Sequence, residues 1–409
     1  MKKFERTQWP VGHGGFHTGK LEQDGDNFSF FYDCGSKTAE KSASKKLMHQ
    51  KLADIEFDFG VISHFDSDHF SEVQNATVET LFLPYATRSD ILLNILVESQ
   101  HSTKSLHVTA TAMYTRLNVL RQRSRIVMVK HGSLDDVDPP LPGDNRQAPT
   151  RILDQVPMVR SGMFDVISDE TVLHEQDRSR NPVLDFKFFN YKWEQISTEF
   201  AGALHVHLGS LRDETDQRYH SVQAFLQSIE DHPGIIARKN GKVLQTIYKE
   251  LLAPHGISEI TPSNLSSLCL FSRVSERVRS KSVFRTVKAR HLQHRDSNNW
   301  REGKSGWMLT GDLELASPVW NQFYDHYFIE CDECLVFNVP HHSSSKSVTS
   351  ETLHALTGEC VYLANVKSGD KKHPSDTLRM LFQAFHCEDQ LLCVDEDPAS
   401  IFSLSTRHV

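Results

Sequence analysis

The stretch Ser63-His64-Phe65-Asp66-Ser67-Asp68-His69-Phe70 decides how this chain is read. It sets two imidazoles and two carboxylates within six residues, and neutral imidazole with carboxylate oxygen is the ligand chemistry of zinc, manganese and iron. A tight loop of this kind can aim His64 and Asp66 at one ion and Asp68 and His69 at a second. The run before it, Phe57 to Ile62 (FDFGVI), is short, apolar and most simply a buried strand. After it, Thr80 to Leu83 (TLFL) is the next strand and is stopped by Pro84. The loop is therefore what leaves one strand of a sheet.

Working outward, the same context recurs. Asn27 to Tyr32 runs into Asp33-Cys34-Gly35-Ser36, Gly306 to Thr310 into Gly311-Asp312, and Glu333 to Val339 into Pro340-His341-His342-Ser343. Cys360 to Ala364 is followed by Lys372-His373-Pro374-Ser375, which opens a helix to about residue 385. Helical patterns cover 38–52, 89–98, 108–122, 214–229, 242–252, 318–327 and 347–356. Strands are expected at 125–129, 183–191, 266–271, 391–394 and 401–404. Strands and helices mixed over the whole length predict a layered α/β protein. In such folds ligand sites gather beyond the carboxyl ends of strands, which is where each of these polar clusters falls.

Composition narrows the classes. The chain has 409 residues, 38% apolar and 24% charged, enough for a packed core and incompatible with a wholly disordered or collagen-like chain. Its longest apolar run, about Leu92 to Val97, is far short of a membrane helix, and MKKFERTQWP lacks the apolar segment of a secretory signal. A net charge of −8 argues against coating of nucleic acid or acidic membranes by the whole surface. Seven cysteines form no disulfide framework and fit reduced thiols, so a cytoplasmic location is expected. Cys331-x-x-Cys334 has redox spacing but no second pair, and reads as ordinary thiols. Histidine stands at 23, so spacing rather than number must select the functional ones.

The loop at 63–70 resembles the His-x-His/Asp-x-Asp-His signature of the metallo-β-lactamase superfamily. It most resembles the variant with Asp at the third position, found in the metallo-hydrolase domain of DNA-uptake competence channel proteins and their stand-alone relatives. Further motifs follow in the family's order: VGHGG at 11–15, FYDCGS at 31–36, NLSSLCLF at 264–271, LTGDLE at 309–314, VPHHSS at 339–344 and His373-Pro374-Ser375. The resemblance implies an α/β fold of the αββα sandwich type over a single domain, 1–409. Its core would be about 9–130 and 262–405, with a large, partly helical insertion at about 131–261. It implies two divalent ions, zinc or manganese. The ligands implied are His64, Asp66, Asp68, His69, a bridging Asp312, and His373 completing the second site. One of His341 and His342 would lie beside the metals; we assign His341 as ligand and His342 as proton donor, with the reverse open. Asp33 would orient a ligand from behind. Members usually supply one more histidine before the Gly-Asp turn; His205 and His207 in LHVHL are candidates. Asp66 and Ser343 replace the usual histidine and glycine, which enriches oxygen in the shell and favours manganese beside zinc.

The expected activity is metal-dependent hydrolysis, a phosphodiesterase or nuclease acting on nucleic acid or a nucleotide, with Asp68 positioning the nucleophile and His342 protonating the leaving oxygen. An acyl hydrolase for thioester, lactone or lactam, and a partner-dependent non-catalytic protein, are the alternatives. From Arg273 to Lys304 there are ten Lys/Arg against three Asp/Glu, with Phe284 and Trp300 interspersed. This basic connection can grip phosphates and stack a base. The mid-chain insertion is a candidate surface for a protein partner, and His13 and His17 flank the first turn where they can line the cleft.

Overall fold

A computed structural model describes residues 2–23, 25–37, 42–101, 105–134, 158–161, 164–176, 180–191, 194–252, 267–275, 283–288, 304–356 and 360–408. The chain is a mixed α/β protein with two sheets. In chain order the strands are β1 (Lys2–Gln8), β2 (Gly14–Gln23), β3 (Asp26–Ser36), β4 (Glu56–Val61), β5 (Thr77–Pro84), β6 (Arg125–Lys130), β7 (Val159–Ser161), β8 (Phe164–Ser168) and β9 (Val172–Gln176). They continue with β10 (Pro182–Asn190), β11 (Leu268–Val274), β12 (Val283–Lys288), β13 (Gly306–Leu309), β14 (Cys334–Val339), β15 (Val361–Asn365), β16 (Leu391–Val394) and β17 (Phe402–His408). The first sheet has the order β12-β17-β1-β2-β3-β4-β5-β6-β8-β7, and the second β16-β15-β14-β13-β11-β10-β9. Parallel pairing runs from β3 through β4, β5 and β6 to β8, and from β13 through β14 and β15 to β16. The other ladders are antiparallel.

The two sheets share one core. Phe28, Phe30 and Phe59 of the first sheet meet Phe186 of β10, with ring centroids 5.0–6.0 Å apart. Phe82 meets Phe188, and Trp307 of β13 meets Phe402 of β17. These are the inward positions of alternating strands, where aromatic rings bury the most area per residue. The parallel strand β14, CLVFNV, reads as a near-continuous apolar run and is buried at every position because both of its faces are covered.

The chain divides into two compact units, where a single domain was expected. One comprises Met1–Tyr85, Arg123–Tyr191 and Ser267–Val409 and contains both sheets; the other comprises Ala86–Gln122 and Lys192–Ser266. These limits differ from the expected insertion at 131–261 in both directions. Residues 164–190 supply β8, β9 and β10, because their alternating apolar positions complete the two sheets. The second unit instead draws on earlier helices. In chain order the helices up to that point are α1 (Ala43–Asp54), α2 (Ser67–Phe70), α3 (Arg88–His101), α4 (Leu106–Arg123), α5 (Glu194–His207), α6 (Val222–Asp231) and α7 (Pro233–Leu252). In the second unit Phe200, Phe225, Ile229, Leu244 and Ile247 are buried, and Glu230 of α6 accepts from Arg88 and Arg121, each at 2.9 Å. The helix expected from 214 begins only at 222. Before it, the Asp213 carboxylate accepts the backbone N–H groups of Thr215 and Gln217, both at 2.8 Å, which holds a turn instead. Of the basic connection, residues 276–282 and 289–303 lie outside the described residues; 283–288 forms β12 on the edge of the first sheet.

Candidate metal centre

The site gathers at the carboxyl ends of parallel strands in the two-sheet unit. Strand β4 delivers the 62–70 loop, β13 delivers Asp312, β14 delivers His341 and His342, and β15 leads to Asp370 and His373. Backbone contacts join these loops: Leu268 N–H donates to Ser63 O at 2.7 Å, His341 N–H to Gly311 O at 3.2 Å, and Ser375 N–H to Ser343 O at 3.0 Å. Gly311 has φ +55°, and a Cβ there would sit 2.6 Å from the Ser63 Cβ, so only glycine lets these two loops approach. Asp66 stands just before α2 with extended backbone, yet its side chain makes no cap; its carbonyl takes the His69 and Phe70 N–H groups at 3.0 Å.

Four ligand atoms, one each from Asp68, His69, Asp312 and His342, all lie within 4.8 Å of one another. The His69 Nε2 is 3.2 Å from Asp312 Oδ1, and His342 Nε2 is 3.3 Å from Asp68 Oδ2 and 3.7 Å from Asp312 Oδ2. His64 Nε2 approaches Asp66 at 3.8 Å and Asp312 Oδ2 at 3.9 Å. Asp312 thus stands between the His64–Asp66 pair and the Asp68–His69–His342 group. His64, Asp68 and His69 are almost wholly buried, yet His64 Nε2, His69 Nε2 and Asp68 Oδ1 have no hydrogen-bond partner. Buried polar atoms left in this way need an explanation, and an ion is one that accounts for them. Two imidazole lone pairs and carboxylate oxygens facing one point are what a divalent cation of the zinc or manganese type requires, so the donor set fits such an ion.

The groups behind the cluster fix its tautomers. Asp33 is buried with φ +56°, and its Oδ1 accepts Ser63 N–H at 2.7 Å. Its Oδ2 accepts the Ser63 hydroxyl at 2.8 Å and faces His69 Nδ1 at 2.7 Å. The carboxylate therefore holds a proton on His69 Nδ1. The Ser63 hydroxyl, having given its proton to Asp33, offers a lone pair to His64 Nδ1 at 2.8 Å. Both imidazoles accordingly carry N–H on the outer nitrogen and can present a bare Nε2 to the cluster. Asp33 was expected in this supporting role.

The charges of these side chains follow the same pattern. Burial opposes the His69 imidazolium, but the Asp312 and Asp33 carboxylates outweigh it and hold its pKa well above the usual value. For His64, burial and then the His69 charge lower the pKa to about 4. Burial also opposes charge on Asp68 and Asp312. His342, Lys37 and His69 keep the first well below the usual carboxylate range, and His69 and His342 the second. Asp66 is raised, by burial first and Asp68 next. Lys37 Nζ sits 2.9 Å from Asp68 Oδ2 at the exposed rim.

Other expected residues stand elsewhere. His341 points outward, with Nδ1 3.6 Å from Glu314, so of the paired histidines His342 is the one inside the cluster, the reverse of the assignment made from sequence. The left-handed backbone at both residues, φ +48° and +51°, turns the two rings apart. His373 is not in the four-residue group; its Nδ1 lies 3.0 Å from Asp370 Oδ2, in a second group with His13. His205 and His207 belong to α5 in the helical unit, where His207 Nε2 bonds Glu250 at 2.7 Å. Cys331 and Cys334 are buried thiols; all seven cysteines are free. Sequence reasoning missed Lys37, Asp370 and Ser63; Ser63 alone carried a signal, through its place beside His64.

A small pocket opens onto the cluster, lined by His17, Asp33, His69, Asp312, His342 and Asn365 among others. His17 is 1% exposed, with neither ring nitrogen bonded, and it packs edge-on against Trp307 at 4.5 Å. Burial, then the Arg6 charge, lowers its pKa well below the usual value, so it is a neutral imidazole in the pocket floor. Among the described residues no helix is long and apolar enough to cross a membrane. No protein-family model and no curated protein matches this chain.

Proposed function

We propose that the chain is a metal-dependent hydrolase of the αββα metallo-β-lactamase type that cleaves phosphodiester bonds in nucleic acid or nucleotides. The observation that carries this reading is the convergence of Asp68, His69, Asp312 and His342, with the buried Nε2 atoms of His69 and of the adjacent His64 lacking a hydrogen-bond partner. His64, Asp66 and Asp312 would hold one divalent ion, and Asp68, His69, His342 and Asp312 a second. Such ions lower the pKa of water towards ~7 and stabilise charge developing on phosphoryl oxygens. The chain's own groups do the rest. Asp312 would contribute to both, since its carboxylate lies within 3.9 Å of His64 Nε2 and 3.2 Å of His69 Nε2. Asp33 and Ser63 place the N–H of His69 and His64 on Nδ1, so that Nε2 is the nitrogen left to ligate once any proton there is lost. Lys37, at the rim beside Asp68, can hold a non-bridging phosphate oxygen. His342, whose Nε2 lies 3.3 Å from Asp68, would then serve as a ligand of the second ion and not as the proton donor.

The test is turnover by purified protein on DNA, RNA, cyclic nucleotides and a chromogenic phosphodiester, with zinc or manganese added. Turnover that requires metal and falls by about 10³ or more in Asp68→Ala and Asp312→Ala supports the reading. Hydrolysis of thioester, lactone or lactam substrates with phosphodiesters inert would replace it with the acyl reading.

A further inference from the structure

We infer that His13, Asp370 and His373 form an additional divalent-cation site, separate from the four-residue cluster and lying at its outer side. The inference goes beyond the hydrolase reading and does not require turnover. His13 comes from the turn before β2, between Gly12 at φ +70° and Gly14 at φ +153°, and its carbonyl accepts the Lys37 N–H at 3.1 Å. Asp370 and His373 come from the loop after β15, more than 350 residues later in the chain. One ligand atom from each of the three lies within 4.8 Å of the others. A single oxygen, Asp370 Oδ2, stands 2.8 Å from His13 Nε2 and 3.0 Å from His373 Nδ1.

One observation points to a cation rather than a purely hydrogen-bonded trio, since of the two imidazole contacts to Asp370 only that of His373 is a hydrogen bond. His13 Nε2 is a buried atom without a hydrogen-bond partner, even though the Asp370 oxygen is 2.8 Å away: the oxygen lies off the line an N–H would take. His69 Nε2 against Asp312 Oδ1 shows the same close but misaligned contact inside the cluster. Asp370 is also fixed from behind, since its Oδ1 accepts the Lys372 N–H at 2.8 Å, leaving Oδ2 for the two imidazoles.

Two nitrogens and one carboxylate oxygen suit a borderline divalent ion such as manganese, cobalt, iron or zinc rather than calcium or magnesium. An ion with bonds of roughly 2.0–2.2 Å spaces its donors about 3 Å apart or slightly more, so the trio closes on one with sub-ångström adjustment. Three protein ligands leave positions open to solvent or to an anionic substrate group. All three side chains are partly exposed, at 26%, 14% and 23% for His13, Asp370 and His373, so this ion exchanges more readily than those of the buried cluster. The His13 ring stacks on His342 at 4.9 Å with 22° between planes, so filling the outer site also fixes the ring against which His342 rests.

The experiment is metal counting with cobalt(II) on the full chain, by elemental analysis after desalting and by visible absorption during titration. Wild type should retain its cluster ions and bind one further equivalent more weakly. His13→Ala and Asp370→Asn should weaken that further equivalent by about tenfold or more and leave the retained ions in place. Asp312→Asn should do the opposite. Identical titrations of wild type, His13→Ala and Asp370→Asn would overturn the inference. If His13→Ala does not fold, Asp370→Asn decides, together with manganese(II) broadening of the His13 and His373 ring resonances in wild type. Absent broadening there counts against the site. Binding of the outer ion without phosphodiester turnover would leave this inference standing and remove the hydrolase reading alone.

Discussion

Asp33→Asn tests the tautomer argument with almost no change of shape. The asparagine carbonyl can still accept Ser63 N–H, where Asp33 Oδ1 accepts it at 2.7 Å. Its NH₂ then falls where Oδ2 stood, 2.7 Å from His69 Nδ1 and 2.8 Å from the Ser63 hydroxyl. A donor there requires a lone pair on Nδ1, which moves the His69 proton to Nε2, the atom 3.2 Å from Asp312 that must ligate. Loss of such an outer partner typically costs ~10–100-fold in metal affinity, which is about 1.4–2.8 kcal/mol. The assay is competition against a chromogenic chelator, with far-UV circular dichroism to show that the fold is kept. A zinc or manganese affinity within twofold of wild type in a folded Asp33→Asn protein would refute the assignment of Asp33 as the group that sets His69.

Metal uptake should release protons: with His69 held protonated above its usual pKa by Asp312 and Asp33, binding at neutral pH expels one. The affinity should climb by about one log unit per pH unit until that raised pKa is passed, and calorimetry in buffers of different ionisation enthalpy reads the count directly. His17 works in the opposite sense. Its pKa is lowered in the folded chain, so the unfolded chain binds an extra proton below about pH 6.5, and stability falls with pH there by ~1.4 kcal/mol per unit. His17→Phe should remove that one-proton slope in denaturant titrations between pH 6.5 and 5; an unchanged slope would show that His17 is not the group. Gly35→Ala should destabilise by about 1–3 kcal/mol and loosen metal together, because its Cβ would sit 2.4 Å from the Asp68 carbonyl carbon and 2.5 Å from the His69 nitrogen. Chemical denaturation of the metal-free protein measures the first effect and chelator competition the second.

The residues of the cluster were readable because each ends a short apolar strand, and strand ends are where an α/β layer leaves polar groups free of core burial. Asp370 was not. It sits in Lys367-Ser368-Gly369-Asp370-Lys371-Lys372, which reads as a solvated charged turn, and only the fold carries it to His13. His341 and His342 are chemically alike in sequence, and the left-handed backbone that separates them is not encoded by residue type. The helical patterns at 89–98 and 108–122 were legible as helices. That they join α5–α7 in a unit of their own depends on which apolar faces meet, a long-range choice that local periodicity does not contain. The strands at 164–176 were hidden by their brevity and by the polar residues around them.

The pairing of β1 with β17, which sets Lys2 opposite His408, has a kinetic meaning. Contacts that join residues so far apart along the chain close slowly, because the loop between them must be ordered first. Residues from His13 to His373 meet only when both sheets are in place, so neither group of ligands can exist on a half-made chain. During synthesis the early strands must wait with an open edge, the arrangement most prone to pairing with another molecule. On the proposed metal-binding reading, metal capture is then a late event, and the appearance of a cobalt spectrum during refolding would time the completion of the whole two-sheet unit rather than of any one loop.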